Sequence, residues 1–326
     1  MAKRRGKKVG KREEPESFIK KGIEKLKKGD AAEALKLFDK AVSIDPQNAR
    51  AWHYKGIAYG ELDKNKEAVQ SYKQALKLDP SDAGAWVNQG IAFGKMGDSS
   101  REIRCYNKAL KVDPNDINAW YNKGVARGEQ GKIREEIKCY DKALEINPKQ
   151  QRILYNKANA LTLFGKPDEA VECYAEALKI NPRDFEGWIN KGNALTEAGR
   201  PEESLPCYDR AIKLAPDSTQ ALYDKGFALL ELGRTEEALE IFDLALDIDP
   251  EDAGAWFKKG NALRRLEQYE ESIMCFDRAL TIQTEDSRIW RSKGGALWDM
   301  GRKKQAWTCY QRALEIIEKQ NELMKK

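Results

Sequence analysis

Histidine is almost absent from this sequence, with His53 as the only one among 326 residues. A single histidine without patterned partners leaves no catalytic triad, no cysteine–histidine pair and no histidine metal cluster. The chain also has no phosphate-binding glycine loop and no closely spaced cysteine pair. We therefore predict that the protein is not an enzyme and that it binds no metal and no cofactor.

Long hydrophobic runs are absent too. No stretch is apolar enough to cross a bilayer, and no hydrophobic signal segment opens the chain. We therefore expect a cytoplasmic protein that does not bind membranes. The net charge is only +5, and the first twelve residues contain seven Lys and Arg residues, so the remainder is near neutral.

What the sequence does have is a skeleton of 34 residues that returns almost from end to end. A large residue marks each copy: Phe18, Trp52, Trp86, Trp120, Leu154, Trp188, Leu222, Trp256 and Trp290. Four places later stands a small residue: Gly22, Gly56, Gly90, Gly124, Ala158, Gly192, Gly226, Gly260 and Gly294. An aromatic residue follows in every copy, with an alanine three places after it, and seven copies close with a proline. This register indicates one supersecondary unit repeated nine times.

The copy over residues 51–80 predicts two helices. Apolar residues fall three and four apart over about 52–61 and again over about 66–78, which gathers them on one face of each helix. Gly56 lets the two helices approach closely. Pro80 ends the second helix, because the residue before a proline is pushed out of the helical conformation. One such unit cannot bury both of its faces, so neighbouring units must stack.

This register resembles the tetratricopeptide repeat, a 34-residue helix-turn-helix. The resemblance covers about residues 15–320 and implies an all-α fold, a right-handed α-solenoid whose nine helix pairs form a superhelix. Residues 1–14 are then a disordered basic tail, residues 15–320 the repeat array and residues 321–326 the polar end of the last helix. The resemblance also implies a protein-interaction scaffold, whose first helices line a concave groove where partners bind.

Some places depart from the repeat pattern. Glu102 and Glu136 replace the small alanine at the helix crossing. A buried unpaired carboxylate is costly, so both should reach solvent or a basic partner. Pro206 predicts a kink or a late start for its helix. Thr284 replaces a closing proline and predicts a less sharply defined junction.

The six cysteines share one place in the repeat: Cys105, Cys139, Cys173, Cys207, Cys275 and Cys309. Equivalent places in stacked helices lie about 10 Å apart, beyond the roughly 7 Å that a disulfide spans between α-carbons. We expect buried, reduced thiols.

Two places after the large residue, four successive copies have an asparagine: Asn88, Asn122, Asn156 and Asn190. An amide both donates and accepts hydrogen bonds, so it pairs with peptide backbone whatever the peptide sequence. With about 10 Å between repeats and about 3.3 Å per extended residue, each amide would meet every third residue of a strand. This series resembles the asparagine ladder of the O-linked N-acetylglucosamine transferases. Duplication of one unit would produce the same series without that role.

Other inward places extend this candidate peptide site. Copies five, six and eight have amides at Asn159, Asn193 and Asn261. One place after the large residue stand Tyr121, Tyr155, Tyr223 and Phe257, which either form side-chain pockets or pack between helices. Glycines in copies two to four either leave room for a ligand or reflect unit duplication: Gly60, Gly94 and Gly128.

Four arginines fall on inward places of copies eight and nine: Arg264, Arg265, Arg288 and Arg291. Charge-assisted hydrogen bonds from guanidinium groups suit an acidic segment or a terminal carboxylate. The carboxylate clamp of chaperone-binding relatives differs, because Phe257 stands where its first lysine would be.

We predict a scaffold that binds an extended peptide or disordered segment in the groove. Two alternatives stay open. The protein self-assembles through an uncapped C-terminal end, where Trp307 and Ile316 lack full cover, or its basic tail binds a polyanion. Nucleic acid is expected only at that tail.

Overall fold

The computed structural model describes residues 14–324, where helices alternate with short turns and no strand occurs. In chain order the helices are α1 (Pro15–Lys27), α2 (Ala31–Ile44), α3 (Ala49–Glu61), α4 (Asn65–Leu78), α5 (Ala83–Lys95), α6 (Ser99–Val112), α7 (Ile117–Glu129), α8 (Ile133–Ile146), α9 (Gln151–Leu163), α10 (Pro167–Ile180), α11 (Phe185–Glu197), α12 (Pro201–Leu214), α13 (Thr219–Glu231), α14 (Thr235–Ile248), α15 (Ala253–Arg265), α16 (Tyr269–Ile282), α17 (Ser287–Asp299) and α18 (Lys303–Met324). The predicted tail lies outside the described residues except for Glu14, as do the last two residues of the predicted polar end.

The helices form pairs, one pair for each 34-residue copy, and the predicted all-α tandem architecture is confirmed. Contacts divide the chain into two compact units, one up to Ala160 and the other from Leu161 onward. The first unit holds α1–α8 and most of α9, and the second holds the end of α9 and α10–α18. Within each unit a helix packs on its partner and on the first helix of the next repeat.

The predicted helix ends at Asp-Pro are confirmed. Helix α4 ends at Leu78, and Asp79 is extended. Two residues after Pro80, the Asp82 carboxylate accepts a hydrogen bond from the Ala85 backbone N–H at 2.8 Å and caps α5. The same short segment therefore ends one helix and starts the next.

Each recurring tryptophan forms a hydrogen bond across this junction, a contact that was not predicted from the sequence. Its indole N–H donates to a backbone carbonyl six residues earlier, as from Trp86 to Pro80 at 3.1 Å. Trp290 makes the same bond to the Thr284 carbonyl at 3.0 Å, and Asp286 caps α17. The prediction of a looser junction at Thr284 is wrong, because neither bond requires a proline.

Helix α12 begins at Pro201 and contains Pro206 in its interior. The predicted late start is wrong. Pro201 occupies the first helical turn, where the missing N–H has no partner to lose and the fixed backbone angle favours a helix.

Glycine and aromatic residues set the distance within a helix pair, as predicted. A Cβ built on Gly56 would lie 2.5 Å from the Tyr72 ring, and one built on Gly226 would lie 2.5 Å from the Phe242 ring. The rings of these second-helix residues are buried. Any side chain at the glycine would force the helices apart.

The prediction that these glutamates reach solvent or a basic partner is wrong for Glu102, whereas Glu136 is partly exposed. Glu102 is buried, and its Oε1 accepts a hydrogen bond from the Tyr106 hydroxyl at 3.1 Å. Glu136 is half-buried and accepts in the same way from Tyr140. Both carboxyl groups lie against a glycine of the first helix, where a Cβ would approach within 2.5 Å at Gly94 and 2.6 Å at Gly128. Burial raises the pKa of both glutamates, which favours the neutral carboxyl.

The six cysteines are buried, as predicted. Burial raises the pKa of Cys105 and of Cys275 to about 11.

On the same outer side of the helix pairs, lysines form ion pairs between consecutive repeats. Lys225 pairs with Asp209 at 2.6 Å, and Lys259 lies over the Trp256 ring and pairs with Asp243.

The last helix continues to Met324, as predicted, and is 22 residues long where the other second helices have 14. Trp307 is exposed, as expected, but Ile316 is buried. The prediction of incomplete cover therefore holds for the tryptophan and is wrong for the isoleucine.

Candidate functional site

The first helices of neighbouring repeats contact one another in each unit: α1 with α3, α3 with α5, α5 with α7, α11 with α13, α13 with α15 and α15 with α17. Among the described residues, successive second helices make no comparable contact. The first helices are therefore crowded on the inner side of each stack. The side chains that they present there are called the first-helix face.

A chain of hydrogen bonds holds the Asn88 amide on this face. The Asp82 Oδ2 lies 2.7 Å from the His53 Nδ1, and the His53 Nε2 lies 3.0 Å from the Asn88 Nδ2. Because Nδ1 donates to the carboxylate, Nε2 of the neutral ring accepts from Asn88. Although burial raises the pKa of Asp82, hydrogen bonds from His53 and from the Ala85 backbone bring it below its ordinary value. One N–H of Asn88 therefore donates a hydrogen bond within the protein.

The next two asparagines also donate one N–H within the chain. The Asn122 amide donates to the Asn118 carbonyl, and the Asn156 amide donates to the Tyr121 hydroxyl, each at 2.8 Å. An asparagine amide has two N–H groups and a carbonyl, so Asn122, like Asn88, keeps a donor and an acceptor for another partner. Asn156 also forms a hydrogen bond with the Tyr140 side chain. Asn190 is half-buried on α11, in the second unit.

The inward aromatic residues pack between helices. Their rings lie against aromatic residues of the second helix in the same repeat: Tyr121 on Tyr140 with centroids 6.0 Å apart, Tyr223 on Phe242 at 6.5 Å and Phe257 on Phe276 at 6.0 Å. Tyr155 is half-buried on α9. For the three described pairs, the packing alternative holds.

A cleft of about 210 Å³ opens between α3 and α5, and its lining includes Ile57, Gly60, Asn88 and Ile91. A Cβ built on Gly60 would have only the Tyr72 hydroxyl within 4 Å, at 3.9 Å. The room expected beside the three glycines is therefore present at Gly60. In the next two repeats a glutamate fills it.

In the second unit, the Asn193 amide both accepts and donates a hydrogen bond within the protein. Its Oδ1 accepts from the Tyr208 hydroxyl at 2.7 Å, and its Nδ2 donates to Asp224 at 3.3 Å. Burial raises the pKa of Asp224 even though Gln220 also donates to it. These contacts link α11 to α13. Asn159 is half-buried on α9.

A larger cleft of about 420 Å³ lies beside α13, α15 and α17 and is lined by Phe227, Leu230, Glu231, Lys258, Asn261, Arg264, Arg265 and Asp299. The Lys258 ammonium lies 4.4 Å from the Phe227 ring centroid. Burial lowers the pKa of Lys258, while Glu231 opposes that effect. Within residues 14–324, Lys258 forms no ion pair. We call this site the cationic cleft.

The structure brings Asn261, Arg264 and Arg265 together in the cationic cleft. Both arginines also have partners within the protein. Arg264 pairs with Asp299 at 2.6 Å, and Arg265 donates to the Leu230 carbonyl at 2.7 Å. Outside the lining, Arg288 pairs with the cap residue Asp286 at 2.6 Å, and Arg291 is exposed on α17.

Sequence reasoning did not include Lys258, Phe227 or His53 among the site residues. Lys258 carried a signal, since it replaces the asparagine at the ladder position of the eighth copy. His53 gave none, because its partners lie 29 and 35 residues away.

Across residues 14–324, no three histidine, cysteine or acidic side chains come together as a metal site. None of the helices in that range combines the length and apolarity needed to cross a membrane.

Family models described as tetratricopeptide repeat or TPR repeat match most of the chain, at residues 15–48, 37–70, 58–97, 83–116, 103–131, 152–184, 189–253, 253–286 and 287–320. Five of the matches each correspond to one helix pair of the structure: 15–48, 83–116, 152–184, 253–286 and 287–320. The chain belongs to the tetratricopeptide-repeat family. It is therefore of the protein-interaction scaffold class, whose members are typically not enzymes.

Solved structures with the same fold include the C-terminal part of a TPR repeat-containing protein from Cytophaga hutchinsonii, with a TM-score of 0.63 at 16% identity over 73% of this chain and 97% of that one. PilF of Pseudomonas aeruginosa gives 0.56 at 18% identity over 64% and 94%. YrrB gives 0.53 at 24% identity over 57% and 96%. At these identities the likeness supports the fold alone. A search of curated proteins found no significant match.

Proposed function

We propose that the protein binds an extended peptide or disordered segment along the first-helix face. The observation that carries this proposal is the set of amides that recur there, each steadied by intramolecular hydrogen bonding: Asn88, Asn122 and Asn156. An amide held in place loses less conformational entropy on binding than a free one. Asn190 continues the series on α11 in the second unit.

The remaining donor and acceptor of Asn88 and of Asn122 suit peptide backbone, which offers the same two groups at every residue. Side chains of the peptide have room in the cleft beside Gly60, where Ile57 and Ile91 make an apolar lining. YrrB, which shares the fold, is described as a TPR protein with an unusual peptide-binding site. Net hydrogen bonds contribute only about 0.5 to 1.5 kcal/mol each, so we expect roughly micromolar affinity.

Within the second unit, the cationic cleft suits an acidic residue of a bound peptide. Lys258 has no acidic partner among the described residues, and burial in the cleft disfavours its charge. A carboxylate from the segment would offset the cost of burying the ammonium and accept charge-assisted hydrogen bonds from Lys258 and Arg265. Phe227 and Leu230 suit an apolar residue beside it.

The test begins with peptides selected from a random library on the native protein. Dissociation constants are then compared with those of a variant in which Asn88, Asn122, Asn156 and Asn190 are all alanine. We expect at least tenfold weaker binding, and a similar loss when backbone N–H groups of the peptide are methylated. Asn107→Ala, on the outer side of α6, is the control and should bind normally. Equal binding by all three proteins would reject the amide series as a peptide site.

Two adjacent lysines test this role of the cationic cleft. Lys258 lines the cationic cleft, whereas Lys259 lies on the outer side over Trp256. Lys258→Ala should weaken binding of an acidic peptide severalfold and make that binding less sensitive to salt. Lys259→Ala removes the same charge from the other face and should leave both unchanged. If the two variants behave alike, net charge rather than the cleft attracts the peptide.

A further inference from the structure

The last helix presents an apolar face that no described residue covers. Trp307 is 61% exposed, Leu314 57% and Ile317 40%. The opposite side of α18 is buried through Ala306, Cys309, Ala313 and Ile316. The exposed residues thus form a second, outward stripe on the helix.

The same places are buried elsewhere in the protein. The counterparts of Leu314 in five other repeats are only 4% to 7% exposed: Val42, Leu76, Leu178, Leu246 and Leu280. Leu246, for example, packs with Ala255 and Trp256 of the following first helix. Four counterparts of Trp307 are 6% to 9% exposed: Val69, Ile103, Val171 and Leu205. The face of α18 is therefore one that in other repeats receives another helix.

The stripe has the spacing of a helix that pairs with another helix. Trp307, Leu314, Ile317 and Asn321 follow one another at intervals of seven, three and four residues, which fits the alternation of three and four found in coiled coils. Helix α18 extends this series beyond the point where the other second helices end.

Charges beside the stripe indicate which helix fits. Lys304, Gln311 and Glu318 are exposed at intervals of seven residues. In an antiparallel pair of identical helices centred on Gln311, Lys304 of each chain faces Glu318 of the other, and Trp307 faces Leu314 and Ile317. Among the described residues neither Lys304 nor Glu318 forms an ion pair.

We propose that α18 pairs antiparallel with α18 of a second copy of this chain, through Trp307, Leu314 and Ile317. The contact is isologous, with the same patch on both partners, so it closes into a dimer. Three exposed apolar side chains per chain make a small interface, and we expect a dissociation constant of roughly micromolar or weaker. The first-helix face takes no part in this pairing.

The test is the molar mass of the full chain by sedimentation equilibrium over a wide concentration range. We expect the mass to rise toward twice that of the chain. Trp307→Asp and Leu314→Asp should each keep the protein monomeric over the same range, with unchanged helix content by circular dichroism. Met274→Asp is the control, since it changes an exposed apolar residue on α16 and should leave the dimer intact. A native chain that stays monomeric overturns the proposal and leaves the face for a helix of another protein.

Charge reversal tests the antiparallel register. Lys304→Glu and Glu318→Lys should each weaken the dimer severalfold, because each places like charges opposite one another. The double variant should restore native dimerisation, and so should a mixture of the two single variants. If the single variants dimerise like the native chain, or if neither combination recovers, the antiparallel pairing is wrong.

Discussion

At the scale of single residues, a missing side chain decides how the helices pack. The recurring glycine of the first helix lies directly under the aromatic ring of the second. In two repeats a further glycine of the first helix, Gly94 or Gly128, lies against the carboxyl group of a glutamate. The two glycine positions have different requirements, because only the first meets a ring in every described glycine copy.

Two glycines of α3 provide a direct comparison. Gly56→Ala places a methyl group 2.5 Å from the Tyr72 ring and should destabilise the protein by about 1 to 3 kcal/mol through overpacking. Gly60→Ala meets nothing closer than 3.9 Å and should stabilise it by up to about 1 kcal/mol, since alanine favours a helix. Urea unfolding followed by circular dichroism measures both. Equal effects would show that helix propensity, not the ring contact, governs this position.

The buried carboxyl group of Glu102 makes stability depend on pH. Its pKa in the folded protein is raised above the ordinary value by burial. Protonated Glu102 therefore contributes fully to the free energy of unfolding at pH values below its pKa in the unfolded chain. This contribution is lost as the pH rises through its pKa in the folded protein. Glu102→Gln keeps an acceptor for Tyr106 and removes the titration, so it should be more stable than the native chain at neutral pH.

Unfolding free energies measured from about pH 4 to about pH 8 check this prediction. The native chain should lose stability relative to Glu102→Gln as pH rises. Glu67→Gln, at an exposed carboxylate of α4, serves as the control and should track the native chain. A constant difference between native chain and Glu102→Gln across the range would contradict the prediction.

At the scale of elements, one turn residue connects the two helices of each pair. Seven described repeats have a glycine there with φ between 71° and 83°, while Asp63 and Glu267 adopt φ of 56° and 62°. A left-handed backbone costs about 1 to 2 kcal/mol for most residues with a side chain, and aspartate tolerates it better than glutamate.

Replacing Glu267 by glycine should therefore stabilise the α15–α16 pair by about 1 kcal/mol, after allowing for the greater freedom of glycine in the unfolded chain. Asp63→Gly should have a smaller effect. Thermal unfolding of the two variants beside the native protein measures the difference. A loss of stability in Glu267→Gly would mean that its side chain contributes contacts that outweigh the strain.

Helix ends were predictable because Asp-Pro and the following cap act within a few residues of sequence. The contacts made by side chains that differ from the repeat pattern were not predictable in this way. Glu102 was expected to reach solvent or a basic partner, but the space beside Gly94 and the Tyr106 hydroxyl provide a buried alternative. Choosing among partners that are all within reach requires the helix separation, which the sequence pattern alone does not supply.

At the scale of the whole molecule, the 34-residue register predicted the fold, while contacts between repeats set the site. Asn88 with His53, Asn156 with Tyr121 and Arg264 with Asp299 are each joined across 35 residues. These pairs differ in chemistry from repeat to repeat, so no single motif reveals them. Periodicity predicted the inward positions, and the structure adds the contacts that their polar groups make with neighbouring repeats.

The six buried cysteines allow each of their repeats to be observed separately. Alkylating reagents attack the thiolate, and a buried thiol with a raised pKa does not react while its repeat stays closed. Labelling rates, read by mass spectrometry at each cysteine, therefore measure how often each of six repeats opens. A peptide held on the first-helix face should slow labelling only in the repeats that it spans, so the thiols on the outer side would map the bound segment without touching it.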